Sequence, residues 1–156
     1  VALAFIGIGS NLGDREENCR RAIELIIKEG IRVTRRSSMI ETEPWGVKDQ
    51  PSFINMAIQV ETDLAPEELL STLKGIERQM GRRDGVRWGP RIIDLDILLY
   101  NGLTTKSPEL EIPHKGTYGR AHVLRPLSEI APDLVHPVLK KTIREILDEG
   151  VRVDKP

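Results

Sequence analysis

Between Ile92 and Tyr100 the chain reads I-I-D-L-D-I-L-L-Y, an aliphatic and β-branched run with turn residues on both sides. Such a run predicts a strand. Side chains alternate between strand faces, so Asp94, Asp96 and Leu98 should share one face and Leu95, Ile97 and Leu99 the other. Two carboxylates then stand side by side on an element otherwise built for a core. They repel each other and resist ionisation unless something positive sits between them. Mg²⁺ meets that need, because it takes one or two carboxylates and completes its shell with water and substrate phosphates.

Just upstream, Arg82, Arg83, Arg87 and Arg91 are interleaved with Gly81, Gly85, Gly89 and Pro90. Guanidinium groups pair with phosphate oxygens in a bidentate fashion, and the glycines predict a mobile loop. Taken singly, an arginine-rich loop is usually solvated surface, and alternating acids are often edge carboxylates facing water. Their adjacency on an otherwise apolar strand points instead to phosphoryl-type transfer, in which positioning and electrostatics do nearly all the work.

A length of 156 residues predicts one domain, 1–156, with a core that needs neither disulfide nor structural metal. The net charge of −1 argues against a general polyanion binder, so no nucleic-acid partner is expected. Cys19 is the only cysteine and falls on a helical apolar stripe, as a buried thiol rather than a nucleophile would. No apolar run reaches membrane-spanning length. A cytoplasmic, monomeric protein is the expectation.

Taken in order, Ala2 to Ile8 predicts a strand covered on both faces, and Gly7 to Asp14 a strand-to-helix turn. Asp14 can cap a helix whose stripe is Cys19, Ala22, Ile23, Ile26 and Ile27, with Gly30 just past its end. Ile31 to Thr42 reads as one irregular edge strand. Glu43 to Pro51 reads as a loop, and Phe53 to Thr62 as a strand. On that last strand Ile54, Met56, Ile58 and Val60 face a core, while Phe53 and Asn55 share the other face. A flat ring beside an amide that both donates and accepts suits a planar heterocycle, although alone it would read as surface. Pro66 opens a second helix that buries Leu69, Leu70, Leu73, Ile76 and Met80.

The order strand, helix, strand, strand, helix, strand is that of an α+β, ferredoxin-like βαββαβ fold, an antiparallel sheet with both helices on one face. Asp94/Asp96 and Phe53/Asn55 would then meet on the opposite face. Beyond Asn101 the chain predicts short strands around Glu109–Ile112, then helices over Arg120–Ala131 and Val138–Glu149.

With these residues in view, the chain resembles the 6-hydroxymethyl-7,8-dihydropterin pyrophosphokinases of folate synthesis. The resemblance rests on G-S-N-L-G at Gly9–Gly13, E-T-E-P-W-G at Glu41–Gly46 and D-Q-P-S-F-I-N at Asp49–Asn55. It continues with R-W-G-P-R-x-x-D-L-D at Arg87–Asp96, I-P-H at Ile112–His114 and R-P-L-S-E-I-A-P-D-L at Arg125–Leu134. It implies transfer of pyrophosphate from MgATP to the pterin hydroxymethyl group, with release of AMP. Asp94 and Asp96 would be catalytic and hold two Mg²⁺ ions, with Arg83 and Arg91 as catalytic partners. ATP would be bound by Lys74, Glu77, Arg83, Arg87, Trp88, Arg91, Ile97, His114 and Arg120. The pterin would be bound by Thr42, Glu43, Pro44, Trp45, Phe53, Asn55, Trp88 and His122. His122 stands where a phenylalanine is common, and Glu109 and Glu111 put two acids near the expected nucleotide. Two rival readings account for less: a palm-type nucleotidyl transferase or cyclase explains the acid pair but not Phe53, Asn55 and Trp45, and a non-enzymatic pterin- or nucleotide-binding module predicts binding without turnover.

Overall fold

The computed structural model describes residues 1–42, 51–81 and 91–150. Its sheet is antiparallel, in the order β2 (Arg32–Arg36), β4 (Phe53–Thr62), β1 (Ala2–Ser10), β5 (Asp94–Tyr100), with β3 (Ile40–Thr42) also paired to β4. Helices α1 (Arg15–Lys28) and α2 (Pro66–Gln79) cross between these strands. The expected βαββαβ order is present, with β1 and β4 at the centre and β5 at one end.

Local chemistry sets the helix ends. The Asp14 side chain accepts the Glu17 N–H at 3.2 Å, and Gly30 follows α1 with φ +86°, a conformation in which a Cβ would clash with its own backbone. Pro66 opens α2, and the Glu68 carboxylate reaches back to the Ala65 N–H at 2.8 Å. Of the expected α1 stripe, Cys19, Ala22, Ile23 and Ile26 are buried, but Ile27 is 46% exposed and lies off it. Burial pushes the Cys19 thiol up to about 11, which leaves it a packing group rather than a nucleophile.

Two cores flank the sheet. On one side Ile6, Ile8, Met56, Ile58, Leu95 and Ile97 pack against Ile23 and Ile26 of α1 and Leu69, Leu73 and Ile76 of α2. On the other, Phe5, Ala57, Leu98 and Leu99 pack under α3 (Ala121–Ile130) and α4 (Ile143–Gly150), through Leu124, Leu127, Ile130, Ile143 and Ile146. The second face is therefore partly roofed, and among the described residues Asp94 and Asp96 lie outside this second core.

Several expectations are corrected. Residues 31–42 form two strands rather than one, separated at 37–39, where the Ser37 hydroxyl accepts the Ala57 N–H at 2.9 Å. β1 runs through Gly7 and Gly9 to Ser10, because both residues pair with β4 and with β5 instead of turning. A bulge lies opposite Phe5 and Ile6, which pair with Leu99 and Ile97, so Leu98 is the extra residue. Leu99 is thereby turned onto the face of Leu98, away from Leu95 and Ile97. The last helix begins at Ile143 instead of Val138, since Lys140 adopts φ +58° and Thr142 and Glu145 form the true start. There the Thr142 N–H donates to Glu145 Oε1 at 2.8 Å, and the Glu145 N–H donates to Thr142 Oγ1 at 3.2 Å. The short strands are β6 (Thr105–Lys106) and β7 (Glu111–Ile112), paired with each other. Among the described residues no helix is long and apolar enough to cross a membrane.

Leu73 is fully buried between α2 and the sheet. Leu73→Ala should destabilise the fold by about 2–5 kcal/mol in urea unfolding, the range for a large-to-small core change.

Candidate active site

The register of three strands builds the site. Residues paired across neighbouring strands point to the same face, so Asn55, Gly9 and Asp94 form one row and Ala57, Gly7 and Asp96 form the next. The middle strand contributes only glycine to both rows. A Cβ on Gly9 would come 2.8 Å from Asn55 Oδ1 and 3.6 Å from the Phe53 ring, and one on Gly7 would come 3.2 Å from Leu98. A side chain at position 9 would therefore displace the Asn55 amide, and the glycine leaves the space between the amide and the acids free of a side chain of its own.

On the amide side, Asn55 Nδ2 donates to Thr42 Oγ1 at 2.6 Å. That bond fixes the amide plane and keeps Oδ1 above Gly9. Phe53 pairs with Thr42 and carries its ring on the same face.

On the acid side, β5 ends the sheet, so its outward backbone groups need partners from elsewhere. α2 supplies one: Glu77 is 3% exposed, and its Oε2 accepts the Leu95 N–H at 2.8 Å. Leu95 lies between Asp94 and Asp96, so this bond anchors the strand at the centre of the acid pair. Lys74 Nζ lies 3.3 Å from Glu77 Oε1 and offsets the buried charge. Glu77, expected among the nucleotide ligands, directs its Oε2 at the strand backbone. Ile97 likewise places its side chain in the α1/α2 core, on the face away from Asp94 and Asp96, which leaves only its backbone for a nucleotide.

His114 approaches from the turn after β7, with Nε2 3.9 Å from Asp96 Oδ2. Its N–H bonds to the Leu98 carbonyl at 2.9 Å, which fastens the turn to β5. His114 Nδ1 accepts the Gly116 N–H at 3.0 Å, so in the neutral ring the proton is on Nε2, the nitrogen directed toward Asp96. Arg120 caps α3, and His122 sits half-buried in its first turn. Glu109 and Glu111 are both exposed. Glu43, Pro44, Trp45, Arg82, Arg83, Arg87 and Trp88 lie outside the described residues.

The sequence reading missed Asn11, which is fully buried at the end of β1. Its Oδ1 accepts the Arg91 N–H at 2.6 Å, its own N–H bonds to the Arg91 carbonyl at 3.0 Å, and its Nδ2 donates to the Pro51 carbonyl at 3.0 Å. One amide thus fastens the chain as it leaves both the 43–50 and the 82–90 stretches. Arg15 joins described residues on either side of the first of these, with Nη1 2.9 Å from Glu41 Oε2 and 2.8 Å from the Ser52 carbonyl. Hydrogen bonds from Arg15 and Ser52 hold the Glu41 carboxyl below its usual range. The available signal was an amide directly after a strand, within G-S-N-L-G.

The arrangement offers hard oxygen donors at Asp94 and Asp96, an adjacent imidazole N–H, and a flat floor bounded by a ring and an amide. Among the described residues no group of three or more histidines, cysteines or acids is clustered as a metal cage would be. Two carboxylates alone suit an ion that draws its remaining ligands from water and substrate phosphates.

Residues 5–132 match the family model described as 7,8-dihydro-6-hydroxymethylpterin-pyrophosphokinase. The 2-amino-4-hydroxy-6-hydroxymethyldihydropteridine pyrophosphokinase of Bacillus subtilis is 44% identical over 154 residues, covering 98% of this chain and 90% of that protein. The folic acid synthesis protein fol1 of Schizosaccharomyces pombe is also 44% identical, over 156 residues, but this chain spans only 21% of its length. In three dimensions the chain is similar to the Plasmodium falciparum HPPK-DHPS crystallised with pterin and p-hydroxybenzoate. There the TM-score is 0.78 at 19% identity, covering 97% of this chain and 43% of that one, a likeness of fold. By the family match and by its identity to a relative that it covers almost from end to end, the chain belongs to the 7,8-dihydro-6-hydroxymethylpterin-pyrophosphokinase family.

Proposed function

We propose that the chain transfers an intact pyrophosphoryl group from MgATP to the hydroxymethyl oxygen of 6-hydroxymethyl-7,8-dihydropterin and releases AMP. The observation that carries this reading is the row Asn55–Gly9–Asp94, which sets a heterocycle-reading amide and a metal-type acid one glycine apart. A pterin lying over Gly9 would have its polar edge at Asn55 and its substituent directed toward the acids.

Each residue then has a physical task. Phe53 stacks on the ring, and Thr42 keeps the Asn55 amide aligned; His122, with Glu43, Pro44, Trp45 and Trp88, completes the pterin enclosure. Asp94 and Asp96 hold two Mg²⁺ ions carried in with ATP. When bound, these ions neutralise developing charge on the phosphates and favour loss of the hydroxyl proton. His114 presents Nε2–H to a phosphate oxygen beside Asp96. Arg83, Arg87, Arg91 and Arg120 clamp the phosphate chain, and Lys74 adds positive charge near it. Because the transferred group is loosely bonded in the transition state, fixing both ends of it matters more than supplying a base.

The direct assay is incubation with ATP, Mg²⁺ and the hydroxymethyl pterin, followed by chromatography of the nucleotides. AMP formed in step with pterin pyrophosphate supports the reading. Release of inorganic pyrophosphate with a nucleotidyl adduct would support the palm-type rival, and binding without turnover the non-enzymatic one.

Asp94→Asn and Asp96→Asn should each lower kcat by about a hundredfold or more while circular dichroism stays unchanged, the scale of a lost transition-state charge contact. Gly9→Ala should drive its Cβ into Asn55 Oδ1 and weaken pterin binding by roughly tenfold, the equivalent of one or two hydrogen bonds. Nucleotide binding, read by calorimetry with a nonhydrolysable ATP analogue, should be unaffected by that change.

A further inference from the structure

His136 is fully buried 19 residues beyond Thr117, yet every polar atom of its ring is engaged. Its Nδ1 accepts the Val138 N–H at 3.2 Å and the Leu139 N–H at 3.1 Å. Its Nε2 lies 2.9 Å from the hydroxyl of Thr117, which is also fully buried. The Tyr118 ring packs edge-on at a centroid distance of 4.7 Å. The Thr117 hydroxyl in turn donates to the His114 carbonyl at 2.7 Å, and the Thr117 N–H donates to the same oxygen at 2.9 Å.

The directions of these bonds are over-determined. Nδ1 of His136 faces two N–H donors, so it must be the acceptor and Nε2 must carry the proton. The Thr117 hydroxyl has only one proton and gives it to His114, so it meets His136 as an acceptor. Both ends require the same neutral tautomer, Nε2–H. Burial pushes the His136 ring below the ordinary histidine range, which keeps it in that neutral form. The chain therefore runs His136 Nε2–H to Thr117 Oγ1–H to the His114 carbonyl, and it stops at the residue whose own Nε2 is aimed at Asp96.

We infer that His136 and Thr117 are positioning residues for the reaction, forming a buried relay that locks the His114 turn in the orientation that presents Nε2–H beside the acid pair. The inference rests on the proposed phosphate contact of His114. It explains a buried imidazole that touches no part of the site. It also ties the segment between α3 and α4, fastened by the His136 N–H to the Lys141 carbonyl at 2.8 Å, to the nucleotide end of β5. A side chain that only filled space here would need neither nitrogen.

The test is a mutant cycle on the full chain, reading the dissociation constant of the Mg²⁺ complex of a nonhydrolysable ATP analogue. Thr117→Val keeps the shape and removes the two hydroxyl bonds; because the backbone N–H at 117 still holds the His114 carbonyl, it should weaken binding roughly fivefold, the factor for one neutral hydrogen bond. His114→Ala should weaken binding by at least as much, and the double variant should bind no worse than His114→Ala alone. Thr117→Ser, which keeps the hydroxyl, should bind as the parent does. If Thr117→Val has no effect, or its effect adds to that of His114→Ala, the relay is wrong while the His114 contact stands. If His114→Ala alone leaves affinity unchanged, the contact falls and the relay with it. A readout that needs no variant is the ¹⁵N spectrum, where the His136 ring should show the neutral Nε2–H tautomer; Nδ1–H at His136 would overturn the inference.

Discussion

Everything in the site depends on the antiparallel register that holds β1 between β4 and β5. Backbone hydrogen bonds on both sides of β1 bring Asn55, Gly9 and Asp94 into line, and no single side chain could substitute for that alignment. The glycine at the centre is the geometric consequence, since any larger residue would occupy the floor and push Asn55 aside. A slip of one residue would turn Asp94 and Asp96 into the α1/α2 core, where unpaired carboxylates are far too costly to keep. The hydrophobic pattern that fixes the core therefore also fixes the chemistry.

The strand that carries the acids is supported by two separate segments. Glu77 of α2 reaches around the end of the sheet to the Leu95 N–H, and on the other face the His114 turn is fastened to the Leu98 carbonyl. Asn11 and Arg15 tie down the chain where it enters or leaves the stretches 43–50 and 82–90. Strands thus carry Asp94, Asp96, Ile97, Phe53, Asn55 and Thr42, and helices carry Lys74, Glu77 and His122, while among the described residues Arg91 and His114 come from connecting segments.

The parts of this arrangement governed by local periodicity were legible in the chain. The alternation in Phe53–Thr62 separated the core residues from Phe53 and Asn55, the stripes and caps located α1 and α2, and the order of elements put both helices on one side. What could not be read were features created by pairing or by distant contact. The bulge at Leu98 belongs to the pairing of β5 with β1, so strict alternation misassigned Leu99. Glu77 stands four residues beyond Leu73 on the buried stripe of α2, a visible signal, but its partner is a backbone amide 18 residues away. The left-handed Lys140 ended an apparent helical pattern that was genuinely amphipathic on paper. Asn11 and His136 were silent because a buried polar side chain is recognised by its partners, and those partners come from elsewhere in the chain.

The central claim is that one sheet face holds the pterin and the phosphate-bound cations side by side across Gly9. A crystal structure of the full chain with Mg²⁺, a nonhydrolysable ATP analogue and the hydroxymethyl pterin tests it most directly. The account predicts the pterin ring over Gly9 against Phe53 and Asn55, with metal density between the phosphates and the Asp94 and Asp96 carboxylates. A pterin bound elsewhere, or phosphates ordered with no ion at Asp94 and Asp96, would contradict it.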